Sequence, residues 1–355
     1  MKTKSLFVVL LIFLLIVVCS PAVEVTKAEL DTLVVPDDYG SIQEAINNAV
    51  DGDTVYVKKG TYHENIVVNK SLSLIGENLD TTIIDGAAAP IVYGDPSEEY
   101  RRPITIQCDN VSISGFKLLY GYAGITIGEV NFCRIYGNRI ADNQHGIILV
   151  GTSYSNITGN YFESIGLSSA IQLSKSNDNF VSGNYIDSCT EGIQIWSSSY
   201  NNTVSENTIT NCDDPAIRLQ YSSNNTVTRN NISNSGVGTC IYVSNNNTIT
   251  NNNYVNNTVQ FSATETYALT FGYNVSVNLI NQNYWNDYNG TDINNDGTGD
   301  TPYVIDENNQ DSNPIMVPID IKIIPEFPSW TFLVAGIFAV TALETLCRRG
   351  FTQRR

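Results

Sequence analysis

Between Ile104 and Val255 the apolar positions come in short alternating runs that return at a fixed interval, and the polar positions between them return in step. Ile113, Ile135, Ile157, Val181, Val204, Val227 and Ile249 form one column, at spacings of 22, 22, 24, 23, 23 and 22 residues. Three residues on, Asn138, Asn160, Asn184, Asn207, Asn230 and Asn252 form a second, and two further Ile140, Phe162, Ile186, Ile209, Ile232 and Tyr254 form a third. A small residue and an apolar-x-apolar triplet close each unit: GITI at 124, GIIL at 146, AIQL at 170, GIQI at 192, AIRL at 216 and CIYV at 240. The runs are too short for helices, the period is too brief for a propeller blade, and heptad spacing is absent.

Such a period, with β-branched residues at the inward positions, is what one coil of a parallel β-helix requires. A single coil cannot bury its apolar face, but stacking same-column residues about 4.8 Å apart builds a continuous core. The Asn column predicts an amide ladder inside a bend, since Asn tolerates left-handed backbone and bonds its neighbours above and below. Cys189 and Cys212 share a column on adjacent coils, either bridged or as free buried thiols, while Cys108, Cys133 and Cys240 have no evident partners. The pattern therefore predicts an all-β domain over residues 31–285 with 22–24 residues per coil. Its N-terminal end is expected to be plugged by a helix over 41–50, where Ser41 and Glu44 have capping-box spacing and Ile42, Ala45, Ile46 and Ala49 share a face.

The ends of the chain carry a different pattern. Lys2 and Lys4, an apolar run from Leu6 to Val18 and the small residues near Ala22 predict a signal peptide over 1–28; a retained anchor or a lipidated Cys19 are the alternatives. Trp330 to Cys347 is apolar except for Glu344 and is followed by Arg348, Arg349, Arg354 and Arg355. That predicts a membrane helix over 330–347 with a basic cytoplasmic tail, 348–355, and the rest of the chain outside; a buried globular helix is the alternative. Residues 321–329, with Pro325 and Pro328, read as a short stiff spacer. Ten Asn-x-Ser/Thr sequons fit an exterior location: Asn69, Asn110, Asn156, Asn201, Asn224, Asn231, Asn246, Asn256, Asn274 and Asn289.

Charge removes one class of partner. The net charge of −17, with the few Lys and Arg scattered or terminal, argues against nucleic acid, which needs a basic stripe.

The segment VPDDYGSIQEAINNAVDGDTVYVKKGTYHENIVVNKSLSLIGEN at 35–78, the coils, and NYWNDYNGTDINNDGTGDTPYVIDENNQDSNPIM at 283–316 together resemble the NosD-type right-handed β-helix proteins, within the carbohydrate-binding and sugar-hydrolase β-helices. PEFPSW at 325–330 resembles an archaeal sorting signal of the PEF kind, which implies processing by an archaeosortase-like enzyme. The likeness implies a right-handed helix, and its fold hosts lyases, hydrolases, epimerases, binders and adhesins alike. The family name implies copper. Imidazole and thioether donors are scarce, however, with only His63, His145 and Met316 besides the initiator, so copper is not expected here.

If the triplets face inward, the residues between and after them form an outer strip: Ile148 and Val150, Gln172 and Ser174, Gln194 and Trp196, Arg218 and Gln220, then Tyr242 and Ser244. Aromatic faces beside amides and an Arg suit sugar rings, which makes Gln172, Gln194, Trp196, Arg218, Gln220 and Tyr242 the candidate binding residues; an ordinary solvated sheet is the alternative. The preceding corner carries His145, Glu191, Asp213 and Asp214, with Glu191 and the Asp pair on adjacent coils. Paired carboxylates at that separation are compatible with acid/base chemistry on a sugar, against the plainer reading of solvated corner residues. Asp292, Asn294, Asp296 and Asp300 alternate around Gly297 in a C-terminal cap over 286–320, as a partial EF-hand-like Ca²⁺ loop or an Asx/Gly turn; Tyr303 stands where the last acid of such a loop belongs. The expectation is an exported, glycosylated, membrane-tethered surface protein whose role is non-catalytic, with glycans or surface proteins as partners. A polysaccharide lyase, hydrolase or epimerase is second, and an accessory of copper-enzyme maturation third.

Overall fold

The computed structural model describes residues 30–87, 101–263 and 277–321. The expected signal peptide, membrane span and basic tail, nearly all of the expected spacer and the Asn274 sequon lie outside them. Among the described residues no helix is long and apolar enough to cross a membrane.

The described strands form three sheets of 13, 9 and 10 strands, parallel except for the terminal pair Tyr303–Val304 and Gln310–Asp311, and the chain visits the sheets in turn, once per coil. This is the parallel β-helix that the period demanded. Ile113, Ile135, Ile157, Val181, Val204, Val227 and Ile249 are register partners in succession, and each is fully buried. Ile140, Phe162, Ile186, Ile209, Ile232 and Tyr254 do the same on the next sheet. The small column has a steric cause: at Gly192 a Cβ would sit 2.2 Å from the carbonyl oxygen of Ala216 on the next coil.

One register differs from expectation. Cys240, not Tyr242, is level with Arg218, and Tyr242 is level with Gln220. The small residue of that coil is Gly238, and its inward triplet runs Thr239-x-Ile241. A polar Thr takes an apolar slot because its hydroxyl meets the buried Tyr254 hydroxyl at 2.9 Å, and this disguises the repeat.

The Asn column forms the expected ladder. Each Nδ2 donates to the Oδ1 one coil on, from Asn138 through Asn160, Asn184, Asn207, Asn230 and Asn252 to Asn283, at 2.9–3.2 Å. The ladder is directional, so its last rung needs an acceptor. That acceptor is the buried carboxylate of Asp311, whose Oδ2 takes Asn283 N, Asn283 Nδ2 and Trp285 Nε1 at 2.8–3.1 Å. A second ladder runs through Asn179, Asn202, Asn225, Asn247 and Asn278 in the bend before the Ile113 column.

Both ends are covered. The helix Ile42–Asn48 is capped by Ser41, whose Oγ accepts from Glu44 N. The reciprocal bond comes from Gly40 N rather than from Ser41 N, and Glu64 takes the amides of Ile42 and Gln43. Ile42, Ala45 and Ile46 are fully buried, and Ala49, just past the helix, nearly so. At the other end Tyr254, Trp285 and Tyr303 stack face to face at 4.4 and 4.3 Å, closing the core. Tyr303 departs from a metal-loop pattern because it serves this plug.

Cys133, Cys189 and Cys212 are free and buried. Burial pushes the Cys133 thiol up to about 11 and those of Cys189 and Cys212 up to about 12. An unfolded chain ionises them near pH 8.5, so the stability these neutral thiols confer is intact below about pH 8.5 and is lost as pH rises through about 11–12. The melting temperature is expected to fall across that window, and Cys189→Ser/Cys212→Ser to flatten the fall. A thiol reagent at about pH 8 should label none of the three before denaturation; rapid labelling of the native protein would contradict this.

Candidate functional site

The outer strip lies on the nine-stranded sheet, built from the strands Ala123–Gly128, His145–Val150, Ser169–Ser174, Glu191–Trp196, Pro215–Gln220 and Val237–Tyr242. Strand alternation buries Ile193, Ile195, Ile217 and Leu219 and leaves Gln194, Trp196, Arg218 and Gln220 outward. Gln172, Gln194 and Arg218 are consecutive register partners, as are Trp196, Gln220 and Tyr242. The six predicted binding residues thus form two adjacent columns, with Cys240 above Arg218. Trp196 is 36% exposed; Tyr221, 38% exposed, sets its ring edge-on to Tyr242 at 5.3 Å. Ser244 is not part of the strip: it is fully buried, its Oγ accepting from Ser222 N and donating to the Tyr242 carbonyl. Ile148 and Ser174 are also nearly covered.

Two of the corner acids come together. Arg218 Nη2 donates to Glu191 Oε1 at 2.9 Å and to Asp214 Oδ2 at 3.1 Å, and Ser169 Oγ donates to Glu191 Oε2. Desolvation works to lower the guanidinium pKa, but the charge of Glu191 and its hydrogen bond, with Asp214, leave it raised. Glu191 is mostly buried and Asp214 half exposed, so the triad is a fixed anchor for Arg218 rather than a pair of unengaged acids. Asp213 adds no side-chain contact to it.

His145 stands apart, two strands away in the same sheet. Its ring lies 4.7 Å from that of Tyr122, burial holds its pKa below the ordinary imidazole range, and Nδ1 is buried with no hydrogen-bond partner among the described residues. Beside it a cavity of about 320 Å³ is lined by Ala87, Arg101, Tyr120, Gly121, Tyr122, Asp142 and Gln144, and Arg102 lies over the Tyr122 ring at 5.8 Å. Sequence reasoning missed this cavity, since its residues come from three coils; the signal was Arg101-Arg102 preceding a coil whose neighbours hold Tyr122 and Gln144 at the same level.

The C-terminal loop spends its oxygens on its own backbone. Asp292 accepts from the amides of Asp296 and Gly297, Asn294 from that of Asp296, Asp296 from that of Thr298, and Asp300 from that of Ile293. Gly297 has φ +85°, which glycine adopts at no cost.

The fold is an all-β parallel β-helix of about ten turns. The chain belongs to the family described as periplasmic copper-binding protein (NosD), whose model matches residues 46–290. A cell surface glycoprotein of Methanothermus fervidus is 36% identical over 132 residues, 37% of this chain and 20% of that protein, so the match takes in a fifth of the relative's length. Among solved structures, the surface adhesin PfbA of Streptococcus pneumoniae superposes with a TM-score of 0.57 at 14% identity, covering 74% of this chain and 80% of that one. The A-module of the mannuronan C-5 epimerase AlgE4 of Azotobacter vinelandii gives 0.56 at 13%, covering 72% and 87%. At those identities the likeness is one of fold.

The described residues bring no donor set together for the metal in the family's description. Among the described residues no three His, Cys, Asp or Glu side chains converge as a metal site. His63 pairs with Asp85 at 3.4 Å beside the ten-stranded sheet, whereas His145 faces Tyr122 on the nine-stranded sheet.

Proposed function

We infer that this chain is a surface-displayed binding protein whose ligand is a glycan, held along the Gln172–Gln194–Arg218 and Trp196–Gln220–Tyr242 columns. The carrying observation is the exposed Trp196 with the Tyr221–Tyr242 pair beside outward amides, on a sheet that does not need aromatics there for its own core. An aromatic face stacks on the apolar face of a sugar while amides and a guanidinium read its hydroxyl and carboxylate groups. Location outside the cytoplasmic membrane agrees with the leader and anchor patterns and with the surface glycoprotein and adhesin likenesses. Binding is favoured over hydrolysis because Glu191 and Asp214 are both engaged by Arg218.

The test is a glycan array probed with the purified protein. Retention of at least one glycan is expected to fall tenfold or more with Trp196→Ala, about 1.4 kcal/mol, and to survive Asp213→Ala. Retention indifferent to Trp196→Ala, or no retention at all, would overturn the reading.

One observation favours a second reading. A half-buried His145, its pKa lowered by desolvation, the Tyr122 ring and Arg101 beside a cavity form a set able to abstract a proton next to a sugar carboxylate, as a lyase or epimerase does. That reading requires turnover of a uronate polymer that is abolished by His145→Gln.

A further inference from the structure

The bend before the Ile113 column holds a left-handed residue on each of seven coils: Asn110, Phe132, Tyr154, Asp178, Asn201, Asn224 and Asn246, with φ between 55 and 60°. They are level with one another, because the residues two further on, Ser112, Arg134, Asn156, Phe180, Thr203, Thr226 and Thr248, are successive register partners. All seven left-handed residues are exposed. The slot accepts Phe, Tyr and Asp, so backbone conformation does not by itself require Asn there, and the strand position two residues on accepts Arg, Asn and Phe.

Yet the two choices go together. On every coil where the slot holds Asn, the second residue on is Ser112, Thr203, Thr226 or Thr248; on every coil where it does not, that residue is Arg134, Asn156 or Phe180. Left-handed Asn elsewhere lacks the association: Asn211, Asn234, Asn251 and Asn295 are followed at that distance by Asp213, Gly236, Asn253 and Gly297, with Asn256 the exception. Turn chemistry explains an Asn at each slot, but it does not explain a hydroxyl arriving only with it.

We propose that this edge is a file of N-glycosylation sites, with Asn201, Asn224 and Asn246 on three successive coils and Asn110 four coils below Asn201. Each Nδ2 stands in solvent and makes no hydrogen bond to the described chain. The residue between acceptor and hydroxyl, Asn202, Asn225 or Asn247, is buried in the second amide ladder and fixes the acceptor outward. Nδ2 takes the anomeric carbon of an oligosaccharide carried on a lipid phosphate; the C1–O bond to the phosphate breaks, the N–C1 bond forms and one amide proton leaves. Coils about 4.8 Å apart set the three glycans side by side along the edge next to the strip, so Asn224, flanked on both sides, is expected to show the lowest occupancy.

The experiment is glycopeptide mass spectrometry on the full chain isolated from the membranes of its own cells, with a Thr203→Val variant expressed in the same cells. Glycan mass on Asn110 and on at least two of the stacked three is expected. Thr203→Val keeps the β-branched shape and should strip Asn201 alone, at an unchanged melting temperature. Unmodified asparagine throughout the file, modification confined to other sequons, or an Asn201 glycan that survives Thr203→Val would each overturn the proposal.

Discussion

Asp311→Ala is expected to destabilise the C-terminal coils by about 4–6 kcal/mol, a large share of the 5–15 that hold a typical domain. The carboxylate is fully buried and accepts from Gln282 N, Asn283 N, Asn283 Nδ2, Trp285 Nε1 and Asn313 N. Alanine leaves Asn283 N and Trp285 Nε1 buried without an acceptor and takes the acceptor from the part-buried Gln282 N and Asn313 N, while Asn283 Nδ2 keeps the Ile249 and Asn281 carbonyls; each buried orphan costs about 1–3 kcal/mol. Because coils contact only their neighbours, the loss is local at first and spreads down the stack. Hydrogen exchange should show early opening of 279–285 while 113–160 stays protected. Asp311→Asn, which keeps the shape but turns a donor toward donors, should fall between the two proteins. Wild-type exchange at 279–285 in Asp311→Ala would show that the ladder needs no terminal acceptor.

Asn207→Ala is the second large effect, expected at about 3–5 kcal/mol in urea denaturation. Asn207 is fully buried; its Oδ1 accepts Asn184 N and Nδ2, and its Nδ2 donates to the Val181 carbonyl and Asn230 Oδ1. Deletion breaks the chain of amides in its middle, leaving the Asn184 backbone N–H and one Asn184 Nδ2–H without an acceptor above a small cavity. Glu206→Ala, next door and outside the ladder, removes only the half-exposed pair with Arg229 and should cost less than about 1 kcal/mol. Equal losses from the two would contradict the ladder's role.

Much of this was legible in the sequence, because the inward columns are made of residues whose shape cannot change without spoiling the stack. Val181, Val204 and Val227 repeat for the same reason that they touch. The doubled Asn in NNT hid two functions, however: Asn202, Asn225 and Asn247 are buried ladder rungs, whereas Asn201, Asn224 and Asn246 are exposed left-handed residues, and a sequon reading merges them. Asp311 was invisible because it ends a pattern instead of repeating it, after a coil that is longer than the rest. Thr239 in an apolar slot moved the last coil of the strip by two residues and put Tyr242 beside the wrong neighbour. The strip itself was readable from alternation; the His145 cavity was not, since Arg101, Tyr122 and Gln144 share a register level but no residue type that marks it as a column.

The strip is tested most directly by hydroxyl-radical footprinting of the protein with and without a glycan that it retains on the array. Protection of Trp196, Tyr221 and Tyr242, with oxidation unchanged at the exposed Phe132–Tyr154 pair, is the predicted result. Unaltered oxidation of Trp196 in the saturated complex, with protection confined to other residues, would contradict the account.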